Sequence, residues 1–146
     1  MEFNHKPVLL EECIENLDIK SNGIYIDGTL GGAGHSAEIY KRLDKTGILI
    51  GVDQDEFALF TASQRLIAQH GQAGLIFENT NFKNLKEVCS KNNIKAVDGI
   101  LLDLGVSSHQ LDEASRGFSY QKDADLDMRM DRNNILTAEI IVMERM

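Results

Sequence analysis

The sequence lacks the features that mark secreted and membrane proteins. It has no tryptophan, one proline and two cysteines among 146 residues. Two cysteines do not make a disulfide scaffold, and Cys13 and Cys89 lack metal-ligand spacing, so we predict no metal site and interpret both as buried thiols in a reducing compartment. No apolar run approaches the length of a membrane span, and the N-terminus lacks the basic-then-apolar order of a signal peptide. We therefore expect a cytoplasmic protein without a membrane partner.

Basic residues are also scarce. Lysine and arginine number 15 against 23 aspartates and glutamates, which gives a formal net charge of −8. Nucleic-acid-binding domains normally carry more basic than acidic residues, so the negative net charge argues against an RNA substrate. A hydrophobic content of 42% with 26% charged residues is typical of one globular domain.

Up to Asp103, apolar runs alternate with amphipathic segments. The predicted strands are Gly23–Asp27, Ile48–Asp53, Leu75–Glu78 and Gly99–Asp103. The predicted helices are Leu9–Leu17, Ser36–Leu43, a segment from the N-cap Asp55 to His70 that ends at Gly71, and a segment around Leu85, Val88 and Cys89. The fourth strand is apolar at successive positions, as a strand covered on both faces requires. This alternation predicts an α/β fold, a parallel sheet with flanking helices.

The most informative segment is the glycine-rich stretch DGTLGGAGH, residues 27–35, which follows the first strand and precedes a helix. Asp53 ends the second strand nineteen residues past Gly34. An acid at that offset commonly binds the ribose hydroxyls of a nucleotide-bearing cofactor. The alternative is that the glycines only make a tight turn.

The charge of Asp27 bears on which cofactor fits. A carboxylate that opens the turn repels the pyrophosphate of a dinucleotide, but it attracts the ammonium and sulfonium groups of S-adenosylmethionine. The helix N-terminus after Gly34 is suited to the carboxylate of the same cofactor. We therefore favour S-adenosylmethionine over a nicotinamide dinucleotide.

The chain from Leu104 to Asn134 shows no sustained periodicity. It is too long for a passive connection in a compact domain, and we expect it to be functional. Ligands of open parallel sheets bind beyond the carboxyl ends of the strands. The residues that we expect at or just past those ends are Asp27, Asp53, Phe82 and Asp103.

Several blocks in this order carry a family resemblance: HKPVLL at residues 5–10, the glycine turn, DLGVSS at 103–108 with QLD at 110–112, RGFS at 116–119 and LDMRMD at 126–131. With them the chain resembles the ribosomal RNA small-subunit methyltransferase H family from Asn4 to about Ala138. The resemblance implies a Rossmann-like S-adenosylmethionine-dependent methyltransferase. Its implied substrate is the N4 amino group of a cytidine in the decoding region, at the P site, of 16S rRNA in the small ribosomal subunit.

The resemblance also implies a set of site residues. The turn at Ala33, Gly34 and His35 would bind the methionine part of the cofactor, and Asp53 the ribose. Phe82 would lie at the adenine, while Asp103 and Gln110 would complete the cofactor site.

The residues themselves leave alternatives open. Phe82 is placed to stack on adenine or to pack in the core. Asp103 follows a hydrocarbon strand, where an acid costs free energy unless paired, and it could accept a hydrogen bond from the cofactor ammonium or the cytosine amino group. It is thus the one candidate for a catalytic residue. His35 is expected to make backbone and capping contacts. Arg116 and Arg129 could each contact RNA phosphate or pair with a neighbouring aspartate.

Members of the family are about twice as long as this chain. We interpret residues 1–134 as the N-terminal part of the methyltransferase domain and residues 135–146 as the start of a helical insert, with the fold truncated after about the fourth strand. Three functions remain: rRNA methyl transfer, an inactive cofactor-binding fragment, and a nicotinamide-dependent oxidoreductase. Gly99 to Leu104 would present an open sheet edge, so the chain is expected either to self-associate or to be only partly ordered.

Overall fold

The computed structural model describes residues 9–145, which form two compact units, one ending at Asp103 and one beginning at Leu104. Most of the HKPVLL block, including Pro7, lies outside the described residues. In the first unit a parallel sheet has the order β3-β2-β1-β4. Its strands are β1 (Ile24–Asp27), β2 (Ile48–Asp53), β3 (Leu75–Asn79) and β4 (Gly99–Leu101). The predicted α/β fold with a parallel sheet is confirmed.

Four helices accompany the strands, one before β1 and one in each of the three connections. They are α1 (Leu10–Leu17), α2 (Gly34–Arg42), α3 (Glu56–His70) and α4 (Leu85–Lys91). The carboxylate of Asp55 accepts hydrogen bonds from the N–H groups of Phe57 and Ala58, which confirms the predicted N-cap of α3. Gly71 ends α3 with a φ of 79°, a conformation that glycine adopts without steric cost.

Hydrophobic side chains cover both faces of the sheet. Tyr25 belongs to a cluster with Ile39 of α2 and Leu66 of α3. The next residue, Ile26, belongs to a second cluster with Val88 of α4. Successive residues of a strand point to opposite faces, so β1, β2 and β3 each contribute to both clusters. Helices therefore pack on both faces of the sheet. The glycine-rich turn begins at the carboxyl edge of this sheet.

Two sequence predictions in this unit are wrong. The fourth strand ends at Leu101, and Ile100 is 48% exposed, so β4 is not covered on both faces. It lies at the end of the strand order and pairs with β1 alone among the described strands. Cys13 and Cys89 are half-buried, not buried.

The second unit contains short elements. They are α5 (Ser108–Asp112), a 3₁₀ turn (Ala114–Arg116) and α6 (Ala138–Arg145). At the start of α5, Ser107 accepts a hydrogen bond from the N–H of Gln110, and the Gln110 side chain accepts one from the N–H of Ser107. This reciprocal cap stabilises α5, a helix of five residues. A helix of that length is too short to show a periodic pattern in the sequence.

Candidate cofactor site at the carboxyl edge of the sheet

The glycine-rich turn is hydrogen-bonded to β4 and β2, the strands on either side of β1. The N–H of Gly28 donates to the carbonyl of Leu101 at 2.9 Å, beside the end of β4. The N–H of Leu30 donates to the carbonyl of Val52 at 3.0 Å, in β2. The turn therefore crosses the carboxyl ends of three strands in a fixed path.

Asp53 joins the turn through its side chain. Its Oδ2 accepts a hydrogen bond from the Gly31 N–H at 2.8 Å, and its Oδ1 accepts one from the Asp55 N–H at 2.9 Å. Burial raises the pKa of this carboxyl above its ordinary value. The sequence predicted both the acid and the turn, and the structure brings them into direct contact.

Asp27 is turned inward. It is 1% exposed, and it accepts hydrogen bonds from the Ser36 hydroxyl at 2.7 Å and the Thr29 N–H at 3.1 Å. Burial raises the pKa of Asp27. Its carboxylate therefore ties the turn to the first residues of α2 instead of lying open to solvent.

The tip of the turn is open on one side. A methyl group added to Gly32 would have no heavy atom within 4 Å, and Gly32 itself is exposed. Ala33 takes a left-handed conformation with a φ of 61° and is the N-cap residue of α2, without a side-chain cap hydrogen bond. Gly34 begins the helix, and His35 is 6% exposed. The N-terminal amides of α2 thus start immediately after an open tip.

Phe82 lies close to the turn. It begins a 3₁₀ turn (Phe82–Asn84) and is 36% exposed, so it is not the core phenylalanine of the alternative interpretation. A Cβ on Gly28 would lie 3.3 Å from the Phe82 Cβ and 2.5 Å from the Leu102 Cδ2. Gly28 is therefore needed for close packing, a requirement that the sequence analysis missed because both neighbours are distant in sequence.

Asp103 differs from its prediction in one respect. It follows the end of β4 and is exposed, so it does not bear the cost of an acid enclosed by hydrocarbon. Its N–H donates to the Thr29 hydroxyl oxygen at 2.6 Å. Thr29 is a second residue that sequence reasoning missed.

The remaining predicted residues lie in the second unit. Gln110 is 5% exposed, and its side-chain oxygen is used by the α5 cap. Arg116 is 3% exposed, and its guanidinium donates to the carbonyls of Arg129 at 3.0 Å and Met130 at 3.1 Å. These bonds join the RGFS block to the LDMRMD block within that unit.

Arg129 pairs with Asp127. Their side chains approach to 2.7 Å between Nε and Oδ1 and 2.8 Å between the second guanidinium nitrogen and Oδ2. The Arg129 guanidinium lowers the pKa of Asp127 to about 2. The alternative that Arg129 pairs with a neighbouring aspartate is confirmed, and phosphate contact by Arg116 or Arg129 stays a prediction.

Within residues 9–145 the structure contains no group of three or more His, Cys, Asp or Glu side chains able to hold a metal ion. None of the helices described is long and apolar enough to cross a membrane.

Comparison with known proteins gives the family. The model of the MraW methylase family matches residues 2–145. The chain belongs to the MraW methylase family. Its sequence is 70% identical over 144 residues to Ribosomal RNA small subunit methyltransferase H of Acetivibrio thermocellus, with 99% of this chain and 46% of that protein covered. It is 62% identical over 142 residues to the protein of the same name from Ruminiclostridium cellulolyticum, with 97% and 45% covered.

This MraW-family chain spans a little under half the length of those curated relatives. Among solved structures it resembles a candidate rRNA-methylase of Clostridium thermocellum, with a TM-score of 0.51 and 15% identity, over 58% of this chain and 48% of that one. At that identity the likeness concerns the fold alone, and it agrees with the predicted methyltransferase fold.

Proposed function

We propose that this chain forms the S-adenosylmethionine-binding part of a methyltransferase that acts on the N4 amino group of a cytidine in the decoding region of 16S rRNA. The main observation behind the proposal is the hydrogen bond between Asp53 and Gly31 in a MraW-family chain. It connects the acid that is expected to bind the ribose with the glycine turn. The names of these relatives supply the class of substrate, the small-subunit rRNA.

The residues at the turn fit this cofactor. When bound, S-adenosylmethionine supplies an electrophilic methyl group on a sulfonium centre. A carboxylate offers about four lone-pair positions, and Asp53 uses three of them on the N–H groups of Gly31, Gln54 and Asp55, so acceptor capacity for a ribose hydroxyl remains. The partly exposed Phe82 offers a ring face for adenine.

The methionine end of the cofactor is assigned to the start of α2. The first N–H groups of a helix lack intrahelical partners and carry partial positive charge, which suits a carboxylate. Ala33, Gly34 and His35 occupy this start. Asp103 is proposed to complete the cofactor site by accepting from the cofactor ammonium.

Methyl transfer to an exocyclic cytosine nitrogen needs little acid–base chemistry. The nitrogen lone pair is delocalised into the ring, and an acceptor on its N–H localises that lone pair for attack. Asp103 is the candidate acceptor on this chain, as the alternative to its role at the cofactor ammonium, because it is an exposed acid beside the turn. Most of the rate acceleration then comes from holding the two reactants in line.

A second candidate is a cofactor-binding fragment without transferase activity. The internal bonds that occupy Arg116 and Arg129 favour this alternative. The domain division at residue 134, a helical insert beginning at residue 135 and a cytoplasmic location are parts of the same proposal. A nicotinamide-dependent oxidoreductase is disfavoured by the family match.

Two measurements separate these functions. Isothermal titration with S-adenosylmethionine and with NAD should give binding for the first ligand only; binding of NAD alone would contradict the proposed cofactor. Transfer of a labelled methyl group to small ribosomal subunits that lack the modification then distinguishes the enzyme from the fragment. Label on the N4 position supports the enzyme, and binding without transfer supports the fragment.

A further inference from the structure

We propose that Thr29 is a positioning residue that sets the location of Asp103 relative to the glycine turn, a role that rests on the proposed function. Thr29 is half-buried inside the turn. It belongs to none of the positions that the family resemblance assigns to the cofactor. It makes one hydrogen bond to Asp27, at the end of β1, and one to Asp103, in the segment that follows β4.

The hydrogen bond between Thr29 and Asp103 lies just beyond the carboxyl ends of β1 and β4. Register pairing of β1 with β4 ends at Asp27 and Leu101, and the Gly28 N–H then donates to the Leu101 carbonyl. Two residues later the Asp103 N–H donates to the Thr29 hydroxyl at 2.6 Å. The Thr29 side chain thus links the segments that follow β1 and β4, beyond the last backbone hydrogen bond between them.

The other end of Thr29 is anchored in the buried part of the turn. Its N–H donates to Asp27 Oδ1 at 3.1 Å, and Asp27 Oδ2 accepts from the Ser36 hydroxyl at 2.7 Å. Asp27 and Ser36 are both almost completely buried. A chain of hydrogen bonds therefore runs from the first turn of α2, through Asp27 and Thr29, to the exposed Asp103.

The residue type suits this task. A β-branched side chain has few allowed χ1 rotamers, so the hydroxyl oxygen is held in place at little entropic cost. Asp103 lies in exposed chain beyond β4, and without the Thr29 acceptor its N–H would lose this bond to the turn. The position of the Asp103 carboxylate, and hence its use for the cofactor ammonium or the cytosine amino group, follows from Thr29.

The test is a double-mutant cycle read by titration with S-adenosylmethionine. Thr29→Val keeps the shape and removes the hydroxyl, and we expect about 5- to 10-fold weaker binding, as loss of one hydrogen bond gives. Thr29→Ser keeps the hydroxyl and should bind within about twofold of wild type. In the Asp103→Ala background, Thr29→Val should change the affinity less than about twofold, because its effect passes through Asp103.

A second readout does not involve the cofactor. Amide hydrogen exchange at Asp103 should lose protection in Thr29→Val and keep it in Thr29→Ser. Unchanged exchange and unchanged affinity in Thr29→Val would overturn the positioning role, and so would an equal loss of affinity with and without Asp103. If wild type binds S-adenosylmethionine but the cycle shows no coupling, the role of Thr29 fails alone; if wild type does not bind, the proposed function fails with it.

Discussion

Asp53 Oδ2 lies 2.8 Å from the amide nitrogen of Gly31, which precedes it by 22 residues. The same carboxylate accepts from the N–H of Asp55, the residue that caps α3. Asp53 therefore holds the turn and the beginning of a helix at the same time. An acid in this position is pre-organised before any ligand arrives, which reduces the entropy lost on binding.

The first prediction concerns this acid. We expect Asp53→Ala to weaken S-adenosylmethionine binding by about 1–3 kcal/mol, because charge-assisted hydrogen bonds to the ribose are lost together with the anchor of Gly31. Isothermal titration of the folded variant measures the change.

The matched control for Asp53→Ala is Asp44→Ala. Asp44 lies between α2 and β2, at the amino edge of the sheet, and its side chain accepts from Thr46. This variant should bind as wild type does. Unchanged affinity in a folded Asp53→Ala protein would remove Asp53 from the site.

Gly34→Val tests the turn itself. Gly34 begins α2, at the proposed cofactor site, and a branched side chain there would occupy the space that the proposed cofactor needs. We expect no measurable binding, while circular dichroism shows a folded protein. Ala68→Val, on an exposed position of α3, is the control and should bind normally. Normal binding by folded Gly34→Val would mean that the turn is structural only.

The Asp127–Arg129 pair gives a pH dependence. The pKa of Asp127 is about 2, below its ordinary value of 3.8, because Arg129 stabilises the charged form. Its contribution to folding is therefore present above about pH 4 and is lost as the pH falls towards 2. Carboxyl chemical shifts measured by NMR should show Arg129→Met restoring the Asp127 pKa towards 3.8.

Arg132→Met is the control for that titration, since Arg132 acts on Asp127 only through a smaller coulombic effect. Its Asp127 pKa should stay close to the wild-type value. An ordinary Asp127 pKa in the wild-type protein would contradict the ion pair.

The edge of β4 leads to a prediction about assembly. Ile100 and Leu102 are 48% and 45% exposed, and β4 pairs with β1 alone among the strands of the described residues. Uncharged, apolar edges of this kind pair with other chains. We expect the 146-residue chain to self-associate or to be only partly ordered, and Ile100→Lys to reduce self-association.

Light scattering after size-exclusion chromatography measures this association. Phe60→Lys, on an α3 position that is 63% exposed, is the control and should leave the association unchanged. A monodisperse wild-type monomer with cooperative unfolding would contradict the prediction.

The sequence was sufficient for features whose causes are local. The cap at Asp55 and the end of α3 at Gly71 depend on backbone geometry within a few residues, and both predictions are confirmed. The parallel sheet follows from the alternation of apolar runs with amphipathic segments, which needs no knowledge of distant contacts.

Features that depend on distant partners were out of reach. The Thr29 hydroxyl meets the Asp103 N–H across 74 residues, and no pattern in the sequence marks that pair. The buried guanidinium of Arg116 bonds to carbonyls 13 and 14 residues away, and the sequence does not distinguish such an arginine from a surface one. The end of β4 at Leu101, two residues before the predicted end, is likewise not marked by any pattern in the sequence.

The most direct test of the cofactor site follows backbone amide signals by NMR during titration with S-adenosylmethionine. We predict saturable shifts that are largest at Gly31, Gly34 and Asp53, with little change at Lys45 at the amino edge, and no saturable shifts with NAD. No saturable shifts with S-adenosylmethionine, or shifts confined to the amino edge of the sheet, would contradict the assignment of the site.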